Sequence, residues 1–264
     1  MSGRIGNLRI AIALVAMSVA GQLAAQDASM VGHADAPKVV LVELFTSEGC
    51  SSCPPADALL KQVNGMKTSS GQLIVGISEH VTYWNSLGWA DPFSSNAYTD
   101  RQNAYGTSFG LDSVYTPQMV VNGRQQFVGS DKVRLERAIR AEQDQVQPVT
   151  LHILDASLQG SGVKLKFSAS SEKAFYGADI IAVLADDADQ SSVSRGENSG
   201  RNLTHVSVAR SITRVAKLQA TADGSAELPI PASFNGKGGH HVILFAQARG
   251  NGRVLGADTK AIPQ

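Results

Sequence analysis

The stretch Gly49-Cys50-Ser51-Ser52-Cys53-Pro54-Pro55 decides how the rest of the chain is interpreted. It holds the only two cysteines among 264 residues, three positions apart, directly after an apolar run from Val39 to Phe45. The apolar run predicts a short buried strand, and the cysteine spacing predicts a turn that opens a helix. At this spacing the two sulfurs come close enough for a disulfide. The partial positive charge of a helix N-terminus then stabilises a thiolate on the first cysteine.

Several uses of a Cys-x-x-Cys pair compete. A strand, a turn and a Cys-x-x-Cys pair opening a helix is the arrangement typical of thioredoxin-like redox proteins. Half of a zinc site is the first alternative, but zinc takes four ligands and no second cysteine pair exists. Haem attachment needs a histidine where this chain has Pro54. A purely structural disulfide would contribute only about 2 kcal/mol, because it closes a tiny loop. We therefore expect Cys50 to attack as the more exposed thiolate and Cys53 to resolve the mixed disulfide from a buried position.

A proline further along the chain supports this interpretation. Thr116-Pro117 precedes the apolar run Gln118 to Val121, and thioredoxin-like proteins place a cis-proline at such a point beside their cysteine pair. We predict that the Thr116–Pro117 bond is cis and close to the sulfurs. Pro117 would then belong to the catalytic site and Thr116 would contact an extended substrate chain. The alternative is a trans-proline entering an edge strand.

The remaining patterns predict an α/β domain followed by an all-β domain. Residues 38–147 read as a thioredoxin-like domain in the order β-α-β-α-β-β-α. It includes a hairpin of Gln118–Val121 and Gln125–Val128 around Asn122-Gly123 and a helix capped by Asp131. Residues 148–264 carry short alternating strands separated by turn residues, which predicts a small antiparallel β-sandwich.

The N-terminus predicts secretion. Residues 1–25 read as a signal peptide, because a short basic region with Arg4 and Arg9 precedes an apolar segment, Ile10 to Ala20, that is too short to span a bilayer. An uncleaved anchor is the alternative. Residues 26–37 are polar and are predicted to form a disordered linker. We expect a periplasmic or secreted protein with no stable membrane span after signal cleavage, in a compartment where a disulfide persists.

The charge balance limits the partners. Lysine plus arginine equals aspartate plus glutamate, which gives a formal net charge of zero, and no basic run is present. This pattern argues against nucleic acid and acidic membrane surfaces as partners. The expected partners are protein thiols or disulfides and a periplasmic redox partner. No cofactor and no metal are expected.

Other residues could assist at the cysteines. Glu43 lies in the apolar strand before them, where a buried carboxyl group with a raised pKa could deprotonate Cys53. The alternative is a glutamate that reaches solvent from a strand edge. Trp84 and Trp89 could wall a substrate groove, or they could pack an irregular connection.

A polar, glycine-rich segment near the C-terminal half offers a second candidate region. Glu197, Asn198, Arg201 and His205 combine both charges and an amide in one short stretch. This segment could bind an anionic ligand or seal the two domains together, and we predict that it faces the first domain. A solvated loop with internal ion pairs is the alternative.

Four motifs in order resemble one family. They are Gly49-Cys50-Ser51-Ser52-Cys53-Pro54-Pro55-Ala56-Asp57, then Tyr83-Trp84 with Gly88-Trp89 and Asp91-Pro92-Phe93, then Tyr115-Thr116-Pro117-Gln118, and last Gly196-Glu197-Asn198 with Gly200-Arg201 and Leu203-Thr204-His205. Together they are similar to a domain-of-unknown-function family of secreted bacterial proteins with a thioredoxin-like N-terminal domain. The resemblance covers nearly the whole mature chain and implies a fold more than an activity. The expected function is thiol–disulfide exchange on proteins, with a non-catalytic binding module and a Cu(I) metallochaperone as alternatives.

Overall fold

The computed structural model describes residues 1–3, 38–171, 177–232, 234 and 238–263. Within these residues the helices are α1 (Pro54–Val63), α2 (Asn96–Phe109) and α3 (Lys132–Gln143), with one 3₁₀ turn at Asn85–Leu87. The strands are β1 (Val39–Thr46), β2 (Leu73–His80), β3 (Gln118–Val121), β4 (Gln125–Val128), β5 (Val149–Gln159), β6 (Gly162–Ser171), β7 (Ala178–Ser192), β8 (Asn202–Leu218), β9 (Thr221–Pro229), β10 (His240–Ala248) and β11 (Val254–Ile262).

Local sequence signals explain where the helices begin. Pro54 occupies the first position of α1, where its fixed φ suits a helix and its missing N–H is not needed. The Ser95 side chain caps α2 by accepting a hydrogen bond from the Ala97 N–H at 3.3 Å. Asp131 caps α3 in the same way, with its carboxylate 2.9 Å from the Arg134 nitrogen.

Eight strands form one mixed sheet in the order β11-β10-β7-β8-β2-β1-β3-β4. β1 and β2 are parallel along their whole length, and the β3–β4 hairpin continues the sheet on the other side of β1. On the β2 side, the sheet passes directly into β8, which pairs in parallel with β2 through Ser78 and Val208. Strands from both halves of the chain therefore share one sheet.

The predicted fold class, a thioredoxin-like α/β domain followed by a small antiparallel β-sandwich, is wrong. The described residues are mostly β, with 48% in strands and 18% in helices, and they include three α-helices. The described residues from 38 onward belong to one compact unit. The physical reason is the length and path of β8, which pairs with β7 along most of its length and also reaches β2. Pairing between segments so distant in sequence leaves no local signal.

Three packed layers bury the core. The three-stranded sheet β5-β6-β9 covers β7, β10 and β11, and buried side chains such as Phe167 and Leu244 fill the space between the two sheets. On the other part of the large sheet, α1 and α3 cover one face around Leu44 and Leu135. A further apolar cluster joins Leu41 of β1 to Phe245 of β10, so the two halves share a continuous core.

A hydrogen-bond chain reinforces the narrow β2–β8 junction. Ser207 donates to the Gly76 carbonyl at 2.5 Å, and its hydroxyl lies 3.0 Å from His241 Nε2. His241 Nδ1 lies 2.5 Å from Asp187 Oδ1. These are the residue types of a hydrolase triad, but Ser207 is fully buried and its hydroxyl is bonded to a strand carbonyl. We therefore assign these hydrogen bonds a structural role. They hold β2 and β8 together, where a single residue pair, Ser78 and Val208, bridges the two strands.

Gly256 of β11 lies at a close approach between the two sheets. A Cβ atom at this position would lie 2.0 Å from the Val149 carbonyl oxygen. We expect Gly256→Ala to lower the free energy of unfolding by about 3 kcal/mol, because β11 and β5 must separate. Gly250→Ala is the matched control: its turn has open space, so only its left-handed backbone is strained, at a cost of about 1 kcal/mol. Urea unfolding of both variants checks this, and equal losses would contradict the close-packing argument.

The predicted signal peptide and linker fall outside the described residues, apart from residues 1–3. Among the residues that the structure does describe, no helix is both long enough and apolar enough to cross a membrane.

Candidate functional site

Cys50 and Cys53 form a disulfide immediately before α1. Cys53 is the residue that precedes the helix, and its N–H donates to the Cys50 carbonyl at 3.2 Å, which closes the turn. Both cysteines are 0% exposed, whereas Ser51 and Ser52 between them are exposed. The expectation that Cys50 is the more exposed thiol is wrong. Cys50 also lies ahead of the first helical turn rather than on it.

The polar segment from the C-terminal half covers the disulfide. Asn198 is fully buried and donates from its amide to the Glu48 carbonyl at 2.8 Å and to the Cys50 carbonyl at 3.0 Å. The Glu197 carboxylate accepts from the Ser51 N–H at 3.0 Å. Hydrogen bonding to the side chain and backbone of Ser51 lowers the Glu197 pKa. The structure thus brings Glu197 and Asn198 against the cysteine turn, while the Arg201 side chain is exposed to solvent.

A buried ionic network lies behind the same turn. His205 of β8 stands between two carboxylates, with Nε2 3.3 Å from Glu48 Oε1 and Nδ1 3.4 Å from Asp57 Oδ1. Glu48 precedes Cys50 by two positions, and Asp57 follows Cys53 by one helical turn. The Glu48 carboxylate also accepts from Trp89 Nε1 at 2.8 Å and from the Ser191 hydroxyl. This network ties β8 to both sides of the disulfide.

The electrostatics of the network favour a charged histidine. Burial by itself lowers the pKa of His205, but its contacts with Asp57 and Glu48 outweigh that effect and raise the pKa to about 10. The imidazole is therefore an imidazolium at neutral pH. A neighbouring pair, His80 and Asp91, lies at 2.7 Å, and the His80 ring packs edge-on against His205 at 4.6 Å between centroids.

Asp91 connects this second pair to the cysteine turn. Its carboxylate accepts from the Glu48 N–H at 2.8 Å as well as from His80. Burial raises the Asp91 pKa, but the His80 charge and the backbone donors outweigh burial, so the Asp91 pKa lies below its usual value. Asp91 therefore stays ionised and holds the backbone N–H of Glu48, two positions before Cys50.

The two tryptophans contact different residues beside the cysteine turn. Trp84 Nε1 donates to the Thr116 hydroxyl at 2.7 Å, and the Trp84 side chain packs against Gly49. Trp89 reaches Glu48 instead. The Thr116–Pro117 bond is cis, which confirms that part of the prediction, whereas the closeness of Pro117 to the sulfurs stays a prediction. A Cβ built on Gly129 would touch both Pro117 and Ala56 at 3.1 Å. Pro117 therefore lies close to the first turn of α1.

Glu43 is placed away from this site. Along β1, Val42 and Leu44 face α1, and Glu43 points to the opposite face. There its carboxylate accepts from Tyr105 at 2.5 Å and pairs with Arg101 of α2 at 2.5 Å. The fully buried Glu79 lies 3.6 Å from the same guanidinium. Glu43 therefore serves an ion cluster between β1, β2 and α2, and none of its contacts involves residues 50–53.

A groove opens beside the network, between α1 and the start of β8. It has a volume of about 460 Å³, and its lining includes Pro54, Asp57, Lys61, Leu203 and His205. Pro54, which is part of this lining, directly follows Cys53 in the sequence. The groove therefore joins the disulfide turn to the buried histidine.

Glu48 and Asp91 were missed as site residues by sequence reasoning. Asp91 opens the Asp-Pro-Phe motif, and Glu48 stands directly before the motif that begins at Gly49. Their joint role depends on β8 and could not be inferred from either motif alone. Among the described residues, no group of three or more His, Cys, Asp or Glu side chains is arranged to hold a metal ion.

Comparisons with known proteins place this chain in context. The family model described as "Protein of unknown function (DUF1223)" matches residues 41–247. A crystal structure of a protein from Agrobacterium tumefaciens is similar, with 29% identity, a TM-score of 0.57, and coverage of 83% of this chain and 92% of that one. HBP35 of Porphyromonas gingivalis shares the fold at 12% identity, with a TM-score of 0.63 and coverage of 86% of this chain and 76% of that one. None of the curated proteins matches this chain.

Proposed function

The chain belongs to the DUF1223 family of proteins of unknown function, and we propose that it performs thiol–disulfide exchange with protein substrates through Cys50 and Cys53. The observation that carries the proposal is the position of the disulfide. It closes a three-residue step at the N-terminal end of α1, between Glu48 and Asp57 of one buried ionic network.

The surroundings suit a cysteine pair that changes oxidation state. The N-terminal end of α1 stabilises a thiolate released by reduction. The charged His205 lies between carboxylates on both sides of the turn and can redistribute protons when the thiols form. A disulfide that served only to hold this short turn would need no such network, since Asn198 already holds the turn through two carbonyls.

The exchange proceeds in two balanced steps. A substrate thiolate attacks one sulfur, the Cys50–Cys53 bond breaks, and a mixed disulfide forms while the other cysteine leaves as a thiolate. A second substrate thiolate then attacks the mixed disulfide, which yields a substrate disulfide and the reduced cysteine pair. The two substrate thiols lose two electrons and two protons, and the cysteine pair gains them. The reverse sequence reduces a substrate disulfide.

We further propose that the protein acts in the periplasm or outside the cell, on the basis of the signal-like sequence at residues 1–25. A disulfide-bearing redox partner in that compartment would reoxidise the pair. The full burial of both cysteines favours one other function, a binding module whose disulfide does not turn over. A Cu(I) chaperone requires the pair to be reduced, because the disulfide leaves no thiolate for the metal.

The redox behaviour of the pair tests the proposal. We expect the disulfide to equilibrate with glutathione buffers at a reduction potential between about −270 and −120 mV, as in exchange catalysts. Thiol alkylation followed by mass spectrometry measures the reduced fraction. A potential below about −300 mV would identify a structural disulfide and support the binding module. Cys53→Ser should accumulate a mixed disulfide with a disulfide-bonded substrate protein, because the Cys50 thiolate attacks the substrate disulfide, one substrate thiolate leaves, and no second thiol of the chain resolves the product. Cys50→Ser with Cys53→Ser together should accumulate none.

A further inference from the structure

We propose that the groove between α1 and β8 binds an extended segment of the substrate polypeptide, which adds to the free edge of β8 beside the disulfide. This inference rests on the proposed function and names its substrate class: unfolded or extended chains that carry a thiol, rather than small thiols.

Within the described residues, β8 has an unpaired edge from Asn202 to Val206. From Asn202 to Val206 the strand pairs with β7 on one side. On its other side, within the described part of the chain, the only pairing of β8 is the single bridge between Ser78 and Val208. Ser207, next to this bridge, has a left-handed backbone. The N–H and C=O groups along this edge are therefore available to another extended chain.

This edge of β8 forms one side of the groove. The groove is lined by Asn202, Leu203, Thr204 and His205, four consecutive residues whose side chains alternate between two faces. A groove that touches all four follows the backbone of the strand. Four residues of strand span about 13 Å, the length of a short peptide segment in the same conformation.

The buried polar side of the groove is internally paired. Asp57 is 6% exposed and His205 is 2% exposed, and Asp57 Oδ1 lies 3.4 Å from His205 Nδ1 as an ion pair. A bound segment therefore finds its hydrogen-bond partners along the β8 edge rather than in this ion pair.

The charge of the groove favours a peptide over an ionic ligand. Asp57 and His205 largely neutralise each other, and Lys61 and Gln62 at the outer rim point toward solvent. Pro54 and Leu203 add apolar surface. A lining with little net charge, some apolar area and a strand edge matches an extended polypeptide. The groove starts at Pro54, so a bound segment would present its thiol near Cys53.

The experiment fills the groove without touching the cysteines. Ala58 is an exposed residue of α1 in the groove lining, and Ala58→Arg places a long side chain there. Ala141→Arg, on the exposed surface of α3, is the charge-matched control. Exchange rates with the full chain are measured for two thiols: glutathione, and a decapeptide rich in valine and threonine with one central cysteine. A version of the decapeptide with N-methylated backbone amides tests the strand pairing.

We expect Ala58→Arg and backbone N-methylation each to lower the decapeptide rate constant about tenfold, while glutathione reacts at the wild-type rate. Ala141→Arg should change neither rate. Equal effects of Ala58→Arg on both thiols, or no effect on the decapeptide, would overturn the groove assignment.

A binding measurement separates this inference from the proposed function. The oxidised protein is titrated into a fluorescent decapeptide in which serine replaces cysteine, so no exchange can occur. Binding that Ala58→Arg abolishes supports the groove even if the disulfide never turns over. Absence of binding to the wild-type protein refutes the groove even if glutathione exchanges with Cys50 and Cys53.

Discussion

Arg101→Met is expected to lower the free energy of unfolding by about 3–5 kcal/mol, because it leaves buried carboxylates without their cation. The Arg101 guanidinium lies 2.5 Å from Glu43 and 3.6 Å from Glu79, and both carboxylates are fully buried. It also donates to Tyr105 at 3.1 Å and to Gln247 of β10 at 3.0 Å. One side chain thus holds together β1, β2, α2 and the C-terminal half.

Urea unfolding at neutral pH measures this loss, with Arg134→Met as the control. Arg134 also stands on a helix beside an acidic partner, Asp131, at 3.5 Å, but the pair is exposed to solvent. An exposed pair of this kind contributes about 0.5 kcal/mol or less. Similar losses for both variants would show that the buried cluster is not a centre of stability.

Glu79→Gln tests the same cluster if Arg101→Met does not fold. Burial, together with the Glu43 charge, holds the pKa of Glu79 well above its usual value, and Arg101 offsets only part of this. A carboxyl group with a raised pKa binds its proton more tightly in the folded state. Its ionisation therefore removes stability as pH rises from the unfolded pKa, about 4.5, toward the folded pKa. Glu79→Gln should be more stable than the wild type at pH 7, and its advantage should shrink below pH 5.

The oxidised protein is expected to lose about 2–3 kcal/mol of stability between pH 7 and pH 9, through His205. The folded pKa of His205 is about 10, above the value near 6.5 for an unfolded histidine. The stabilisation is therefore complete below about pH 6.5 and is lost as pH rises toward the folded pKa. Within this window the folded state holds one proton more than the unfolded state, which corresponds to about 1.4 kcal/mol per pH unit.

Urea unfolding at several pH values measures the slope. The disulfide must be intact, because disulfide-bonded cysteines do not titrate. His205→Gln should be less stable than the wild type at pH 7 and should show a much shallower slope. If His205→Gln and the wild type share one slope, His205 is not the buried cation that the geometry indicates.

The features that sequence reasoning predicted correctly depend on neighbouring residues. The hairpin strands Gln118–Val121 and Gln125–Val128 have their predicted bounds, because Asn122-Gly123 adopts the left-handed backbone that a tight turn needs. Asp131 caps α3 because its side chain reaches an N–H three residues on. The Cys50–Cys53 disulfide forms because the turn before α1 brings the two residues together.

The features that sequence reasoning missed depend on partners far along the chain. Glu43 was expected beside Cys53, but the face of β1 on which it lies was settled by α2, whose Arg101 supplies the matching charge. Cys50 was expected to be exposed, but Asn198 and Glu197 arrive from the other half and cover the turn. Neither partner can be deduced from the strand or the turn itself.

By itself, the sequence determined the disulfide, most of the helices and strands, and the polar motif from Glu197 to His205. These depend on side-chain chemistry and backbone preferences within a few residues. Only the tertiary structure decided that β8 joins β2, so that both halves share a sheet and His205 enters between Glu48 and Asp57. The physical reason is that strand pairing and charge burial are decided by whichever distant segment satisfies the exposed backbone edge and the buried carboxylates.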